Sequence, residues 1–266
     1  MRFALIALLT LVCLPARAQE TALVSLQTGD DSKGWNAVGR LNLGDRGFCT
    51  GTLIAPDLVL TAAHCLFDKE TGARIEARDI EFLAGLRNGR AEAYRSVARA
   101  VAHPDYVYSG DSEIDRTAYD VAVLELNQPI RQPSIQPIAT ASPPKIGDEV
   151  GVVSYAQDRA EAPSLQQICH VIDGSRAVLV LSCDVDFGSS GAPIFVVKDG
   201  VPQIVSVVSA KAESNGKKVS LGTALQDPLA VVLAEIAKDD GPIALSGGKV
   251  NTLAGGKARG AKFLKP

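Results

Sequence analysis

Three residues of this chain have the chemistry to act together on a carbonyl group. Ser190 lies in Asp184-Val185-Asp186-Phe187-Gly188-Ser189-Ser190-Gly191-Ala192-Pro193, a Gly-rich stretch that predicts a tight turn presenting one hydroxyl. A nucleophilic serine needs backbone N–H groups nearby to receive the oxyanion it creates. Gly188 permits a turn that aims them inward, with the N–H groups of Gly188 and Ser190 as the candidate donors. A hydroxyl is a weak nucleophile without a base, and His64, at the end of Leu60-Thr61-Ala62-Ala63-His64-Cys65, offers an imidazole. Asp120 opens the alternation Tyr119-Asp120-Val121-Ala122-Val123-Leu124-Glu125-Leu126. It offers the carboxylate that fixes an imidazole's tautomer and stabilises its charged form. The chemistry these groups support is acyl transfer through a covalent intermediate, with no metal and no organic cofactor. Short Gly/Ser turns are common in loops, so Ser190 alone would say little. The three stretches are far apart in sequence, and only a tertiary fold can unite them.

The segments that must position these residues read as short strands. Trp35 to Leu43 alternates apolar with polar, the period of a half-buried strand. Phe48 to Ile54 and Leu58 to Ala62 follow across the turn Pro56-Asp57, a hairpin leading into His64. Ile80 to Leu86, Tyr94 to Ala102 and Val121 to Leu126 continue the series, separated by Asn88-Gly89, Pro104-Asp105 and Ser109-Gly110-Asp111. His103, in His103-Pro104-Asp105-Tyr106, reads as a packed or surface-turn histidine. Residues 127–144 carry prolines at 129, 133, 137, 143 and 144 and read as a connection between two halves. Beyond it, strands are expected at 147–155, 167–172, 177–182, 194–198 and 203–210, with Asp199-Gly200 as a hairpin turn. Many short strands with turn signals argue an all-β barrel or sandwich. Leu229, Val232, Leu233 and Ile236 then recur at helical spacing after Asp227-Pro228, which predicts a short C-terminal helix. The expected organisation is a leader at 1–18, an N-terminal segment at 19–34, β units at 35–135 and 136–238, and a tail at 239–266. That tail is too poor in apolar residues to bury a core.

Residues 1–18 have a basic start at Arg2, an apolar run from Phe3 to Leu14, and the small-x-small Ala16-Arg17-Ala18, the pattern of a secretory signal peptide. The run is far shorter than the roughly 20 residues a membrane span needs, and no later stretch spans a membrane. Cleavage after Ala18 leaves 25 basic residues against 30 acidic ones, a balance that gives no reason to expect nucleic acid as a partner. It also leaves four cysteines, Cys49, Cys65, Cys169 and Cys183. In an exported chain these suggest disulfides, with three pairings open. A zinc site is disfavoured, because no Cys-x-x-Cys pair or histidine cluster is present.

Thr61-Ala62-Ala63-His64-Cys65, Asp120-Val121-Ala122-Val123-Leu124 and Gly188-Ser189-Ser190-Gly191-Ala192-Pro193 resemble the three signature blocks of the trypsin-like, chymotrypsin-fold serine proteases. The style is similar to the bacterial branch that includes glutamyl endopeptidases. The resemblance covers roughly residues 35–235. It implies two packed antiparallel six-stranded β-barrels with a short C-terminal helix, the site in the cleft between them, and the pairs Cys49–Cys65 and Cys169–Cys183. The first disulfide, closing a short loop beside His64, would contribute about 3 kcal/mol. The resemblance also implies Ser190 as nucleophile, His64 as general acid and base, and Asp120 as its orienting carboxylate.

Where animal members of that family carry an aspartate before the nucleophile, this chain has Ser189. A serine cannot pair with a freshly cut N-terminal amine, so the oxyanion turn is expected to be preformed once the leader is removed. The substrate pocket is expected around Asp184, Ser209, Lys211 and Gly222. Asp184 would favour a basic side chain unless it is part of the turn scaffold, Lys211 would favour an acidic one, and small or apolar side chains are the third reading. The sequence thus describes an exported serine endopeptidase, periplasmic or extracellular, acting on protein or peptide substrates. A catalytically silent, protease-like binding protein is the competing reading.

Overall fold

A computed structural model of the chain describes residues 19–109, 113–214 and 216–239. The expected leader at 1–18 and all but the first residue of the expected tail at 239–266 lie outside the described residues. Strand β1 (Val24–Ser25) precedes a closed antiparallel barrel of β2 (Val38–Leu43), β3 (Phe48–Ala55), β4 (Leu58–Thr61), β5 (Ile80–Ala84), β6 (Ala93–Ala102) and β7 (Ala122–Leu126). Helix α1 (Glu113–Ala118) lies between β6 and β7. The ladder runs β2-β3-β4-β7-β6-β5 and closes by pairing Gly39–Leu43 with Ile80–Ala84.

The second barrel comprises β8 (Glu149–Ala156), β9 (Arg159–Gly174), β10 (Val178–Leu181), β11 (Pro193–Lys198), β12 (Val201–Ser214) and β13 (Lys217–Ala224). Its order is β9-β10-β13-β12-β11-β8, closed by the β8–β9 pairing. Helix α2 (Gln226–Asp239) ends the described chain and packs back against β6 and β7. The fold is therefore all-β, two six-stranded barrels with a C-terminal helix. No helix among the described residues is long and apolar enough to cross a membrane.

Inward-facing side chains fill each barrel, as the two-residue period of the strands dictates. Leu41, Leu53, Leu60, Phe82 and Leu124 are fully buried in the first, and Val152, Leu181, Ile194 and Val205 in the second. The core of the first barrel continues into the second through Val153, Tyr155, Phe195 and Val207, and into α2 through Leu229, Val232 and Ile236. Tyr155 is buried, and its hydroxyl donates to the carbonyl of Leu86 at 2.9 Å across the barrel interface. Burial pushes its phenol pKa up, so it stays a neutral donor. Arg99 donates from Nη2 to the Ile236 carbonyl at 2.6 Å, satisfying one of the orphan acceptors at the end of α2.

Besides helix α1, which the sequence reading did not anticipate, three strands depart from it. The N-terminal segment, polar and irregular by composition, adds β1 to the second barrel: Val24 and Ser25 pair with Leu165 and Ser164, and Thr21 N–H donates to Ile168 O at 3.0 Å. Strand β9 begins eight residues before the expected 167–172, because backbone pairing with β8 carries Arg159 to Pro163 despite their loop-like composition. Strand β13 opens with Lys217-Lys218, which hides its later alternation, and is held by ladders to β10 and β12.

Candidate active site

His64 lies on a single 3₁₀ turn, Ala63–Leu66, that follows β4. The turn is tied to β3 by the Cys49–Cys65 disulfide, with Cα atoms 6.3 Å apart. Cys169 and Cys183 form the second disulfide, 5.0 Å between Cα atoms, joining β9 to the segment before the Gly-rich turn. The sulfurs of Cys49 and Cys65 and a ring nitrogen of His64 lie within 4.8 Å of one another. Both sulfurs are consumed in the disulfide and offer no thiolate to a metal.

Asp120 sits just before β7, and its side chain is only 3% exposed. A buried carboxylate must find donors, and this one finds three. His64 Nδ1 is 2.7 Å from Oδ2, the His64 backbone N–H donates to Oδ1 at 2.8 Å, and the Ser209 hydroxyl donates to Oδ2. With Nδ1–H engaged by the carboxylate, Nε2 is the basic nitrogen. The loop behind Asp120 is anchored from the second barrel: Thr223 Oγ1 donates to Thr117 O at 2.6 Å and lies 3.2 Å from Asp120 O.

The Gly-rich turn is fixed by hydrogen bonds to both barrels. Gly188 and Gly191 have φ of +97° and +76°, a backbone region that glycine enters without strain. A side chain at 188 would meet the Phe48 ring at 2.4 Å, and one at 191 would meet Thr61 Oγ1 at 2.1 Å. The Phe187 carbonyl accepts from Gln157 N–H at 2.7 Å and the Ser189 carbonyl from Ala192 N–H at 2.9 Å. In a trans peptide the N–H points opposite to the C=O. The N–H groups of Gly188 and Ser190 are thereby turned away from those acceptors, and among the described residues neither has an intramolecular acceptor.

His64 and Ser190 line one cleft of about 260 Å³, with Lys69, Val185, Asp186, Phe187, Val208, Ser209, Ala210 and Lys211. The structure thus brings together His64, Asp120, Ser190, Gly188, Ser209 and Lys211. Asp184 and Gly222 are not among the residues lining that cleft, although Gly222 pairs with Val208, which is. Asp184 is exposed in a neighbouring cavity of about 490 Å³, and its N–H donates to Gln166 Oε1 at 2.7 Å. Gly222 is buried against Ser206, whose Oγ would be 2.3 Å from a side chain there. Val185, Asp186 and Lys211 form the wall shared by the two cavities. Lys211 Nζ contacts Asp186 Oδ1 at 2.7 Å and sits 3.9 Å above the Phe187 ring, with Lys69 Nζ 5.7 Å from the same ring. The hydrogen bond from Lys211 holds the Asp186 carboxyl below the usual carboxylate range.

Sequence reasoning did not single out Thr50, Ser154, Arg159 or Lys69. None stands in a local motif, and their relevance arises only from what they touch. Ser209, expected as a pocket wall, also holds Asp120.

Two closed six-stranded barrels, with a histidine–carboxylate pair on one and a Gly-rich serine turn on the other, define the class of two-barrel, chymotrypsin-fold serine proteases. The family model described as Trypsin matches residues 27–227, and the chain belongs to this family. Glutamyl endopeptidase of Bacillus licheniformis is 25% identical over 171 residues, covering 64% of this chain and 52% of that protein. Serine protease 23 of Mus musculus is 29% identical over 166 residues, covering 56% of this chain and 43% of that protein. The chain spans about half the length of the curated relatives it matches. A solved structure of Glu endopeptidase in complex with MPD superposes with a TM-score of 0.64 at 18% identity, covering 77% of this chain and 91% of that one. It shares the fold.

Proposed function

We propose that the chain is an exported serine endopeptidase that hydrolyses peptide bonds through Ser190, His64 and Asp120. The observation that carries this reading is the His64 Nδ1–Asp120 Oδ2 contact of 2.7 Å in the cleft that Ser190 also lines. Ser190 Oγ attacks the substrate carbonyl carbon while His64 Nε2 takes its proton. The negative oxygen of the tetrahedral intermediate receives the N–H groups of Gly188 and Ser190, which no acceptor among the described residues occupies. Collapse transfers the proton from His64 to the leaving amine and leaves an acyl-enzyme. Water, deprotonated by the same imidazole, then releases the acid. Asp120 holds the imidazole in place and stabilises the imidazolium.

Lys69 and Lys211 outnumber Asp186 in the cleft, and Asp186 is already bound to Lys211. This supports acidic or uncharged substrate side chains over basic ones, as does the name of the Bacillus relative. Export rests on the leader pattern of residues 1–18 and on the two disulfides, which form in oxidising compartments.

The test is intact mass after treatment with a serine-directed fluorophosphonate. A single adduct on the wild type, absent from Ser190→Ala and much slower on His64→Ala, is expected. A folded wild type that takes up no adduct would overturn the enzymatic reading in favour of a binding protein.

A further inference from the structure

The residue immediately before Ser190 leads to a cation that the mechanism above does not use. Ser189 is fully buried. Its Oγ lies 3.1 Å from Ser154 Oγ and 3.3 Å from the Tyr155 carbonyl, and it accepts from Asp186 N–H at 3.3 Å. Arg159, at the tip of the β8–β9 hairpin, points its guanidinium into the same node. Arg159 Nη2 is 3.1 Å from Ser154 Oγ and 3.4 Å from Ser189 Oγ. The Arg159 side chain is only 13% exposed; among the described residues its ion-pair partner is Asp158 at 3.1 Å, 72% exposed, and the charge of Arg159 also helps hold down the carboxyl of Asp186, which is half exposed. Arg159 Nε is buried without an acceptor among the described residues.

A guanidinium cannot shed its charge to escape a poor environment. Burying one against two hydroxyls, with only solvated carboxylates nearby, carries a desolvation cost that an apolar side chain would avoid. The placement is therefore poor value for packing. It does complete Ser189: the hydroxyl accepts from Arg159 and Asp186 and gives its own proton to Tyr155 O or Ser154 Oγ, so its hydrogen-bonding capacity is filled. The same hairpin tip supplies Gln157 N–H, which holds the Phe187 carbonyl at 2.7 Å and so turns the Gly188 N–H outward. Two residues of one hairpin thus grip the turn on both sides of Gly188.

We propose that Arg159 is a positioning residue: with Gln157 it makes the β8–β9 hairpin a clamp that holds the oxyanion turn in its receptive shape from within the fold. The proposal rests on the reading given under Proposed function. Because the clamp is an internal side chain of fixed charge, holding the turn calls on no newly cut chain terminus.

The experiment measures fluorophosphonate inactivation, separated into its limiting rate kinact and half-saturation KI, for the wild type, Arg159→Ala and Arg159→Lys. Thermal melts establish folding. We expect Arg159→Ala to lower kinact about 10- to 100-fold, short of the 10²–10³ for loss of an oxyanion donor, with KI within about twofold. Arg159→Lys restores most of kinact at pH 7. It also gains a decline toward pH 10 beyond any that the Lys211–Asp186 pair of the turn gives the wild type, because burial lowers the pKa of an ammonium whereas a guanidinium stays charged. If Arg159→Ala fails to fold, the lysine variant's pH profile carries the test. A folded Arg159→Ala with kinact within twofold of wild type, or a lysine variant whose pH profile superimposes on the wild type's, overturns the clamp alone. A wild type without any adduct overturns both the clamp and the enzymatic reading.

Discussion

Thr50 of the first barrel donates its hydroxyl to the carbonyl of Gly188 in the second, at 2.9 Å, and accepts from the Tyr155 N–H at 3.1 Å. Its own N–H donates to the carbonyl of Ser190 at 2.8 Å. One buried side chain and its backbone thus hold the Gly-rich turn at two points, so the shape of the turn depends on how the barrels dock. Thr50→Val keeps the shape and removes the hydroxyl, leaving the Gly188 carbonyl and the Tyr155 N–H without this partner. The expected cost is about 1–3 kcal/mol, read as a lower thermal midpoint, together with a fall in kcat larger than any change in KM.

A side chain at position 188 has no room. Gly188→Ala brings a Cβ to 2.4 Å from the Phe48 ring at a φ of +97°. Either Phe48 moves or the turn rotates its N–H away from the cleft. Loss of one donor is worth about 2.7–4 kcal/mol in the transition state, so kcat/KM should fall at least about a hundredfold. An alanine variant that labels with fluorophosphonate as fast as wild type would contradict the donor role of Gly188.

Asp120 accepts from the His64 ring, the His64 backbone and Ser209. Asp120→Asn preserves the shape but favours the wrong imidazole tautomer, and kcat should drop about 10⁴-fold. Ser209→Ala removes one of three donors and should cost far less, roughly 10- to 150-fold, in line with a net hydrogen bond to a charged group of about 1.5–3 kcal/mol. Steady-state kinetics on one peptide substrate ranks the two; a Ser209→Ala loss matching that of Asp120→Asn would refute this ordering.

His103 supplies a pH response separate from the cleft. It is buried, stacks on Tyr119 with centroids 4.9 Å apart, and its Nδ1 accepts from the Asp105 N–H at 3.1 Å. Burial holds its pKa below the ordinary histidine value, against the opposing pull of the Asp105 charge. The folded state therefore binds fewer protons than the unfolded state below about pH 6.5. This contribution to stability is present above the unfolded pKa and is lost as pH falls toward and through the folded one. His103→Asn, which can still accept from Asp105, should narrow the gap between thermal midpoints measured at pH 7.5 and pH 5. An unchanged gap would mean that other groups carry the acid response.

Much of the fold was legible before the structure. The expected strands from Phe48 to Leu126 each overlap an observed one, because each is a short apolar or alternating run between turn residues, and that local pattern is enough to mark a strand. The closing helix was legible from the spacing of Leu229, Val232, Leu233 and Ile236, of which Leu229, Val232 and Ile236 are buried. Strands β1 and β13 and the start of β9 were not, because none shows a sustained apolar or alternating run and partner strands hold them by backbone hydrogen bonds.

For the site, the chain by itself determined which groups could react. A serine in a Gly-rich turn, an imidazole and a carboxylate are covalent facts, and residue types at motif spacing are enough to nominate them. Only the tertiary structure decided what surrounds them. Asp184 lines the neighbouring cavity, Ser209 binds Asp120, and Lys211 is paired with Asp186. Thr50 and Arg159 reach the turn from other elements. The reason is physical: reactivity is local to a side chain, whereas a hydrogen-bond partner is set by the register of strands and the docking of two barrels, which no short stretch of sequence encodes.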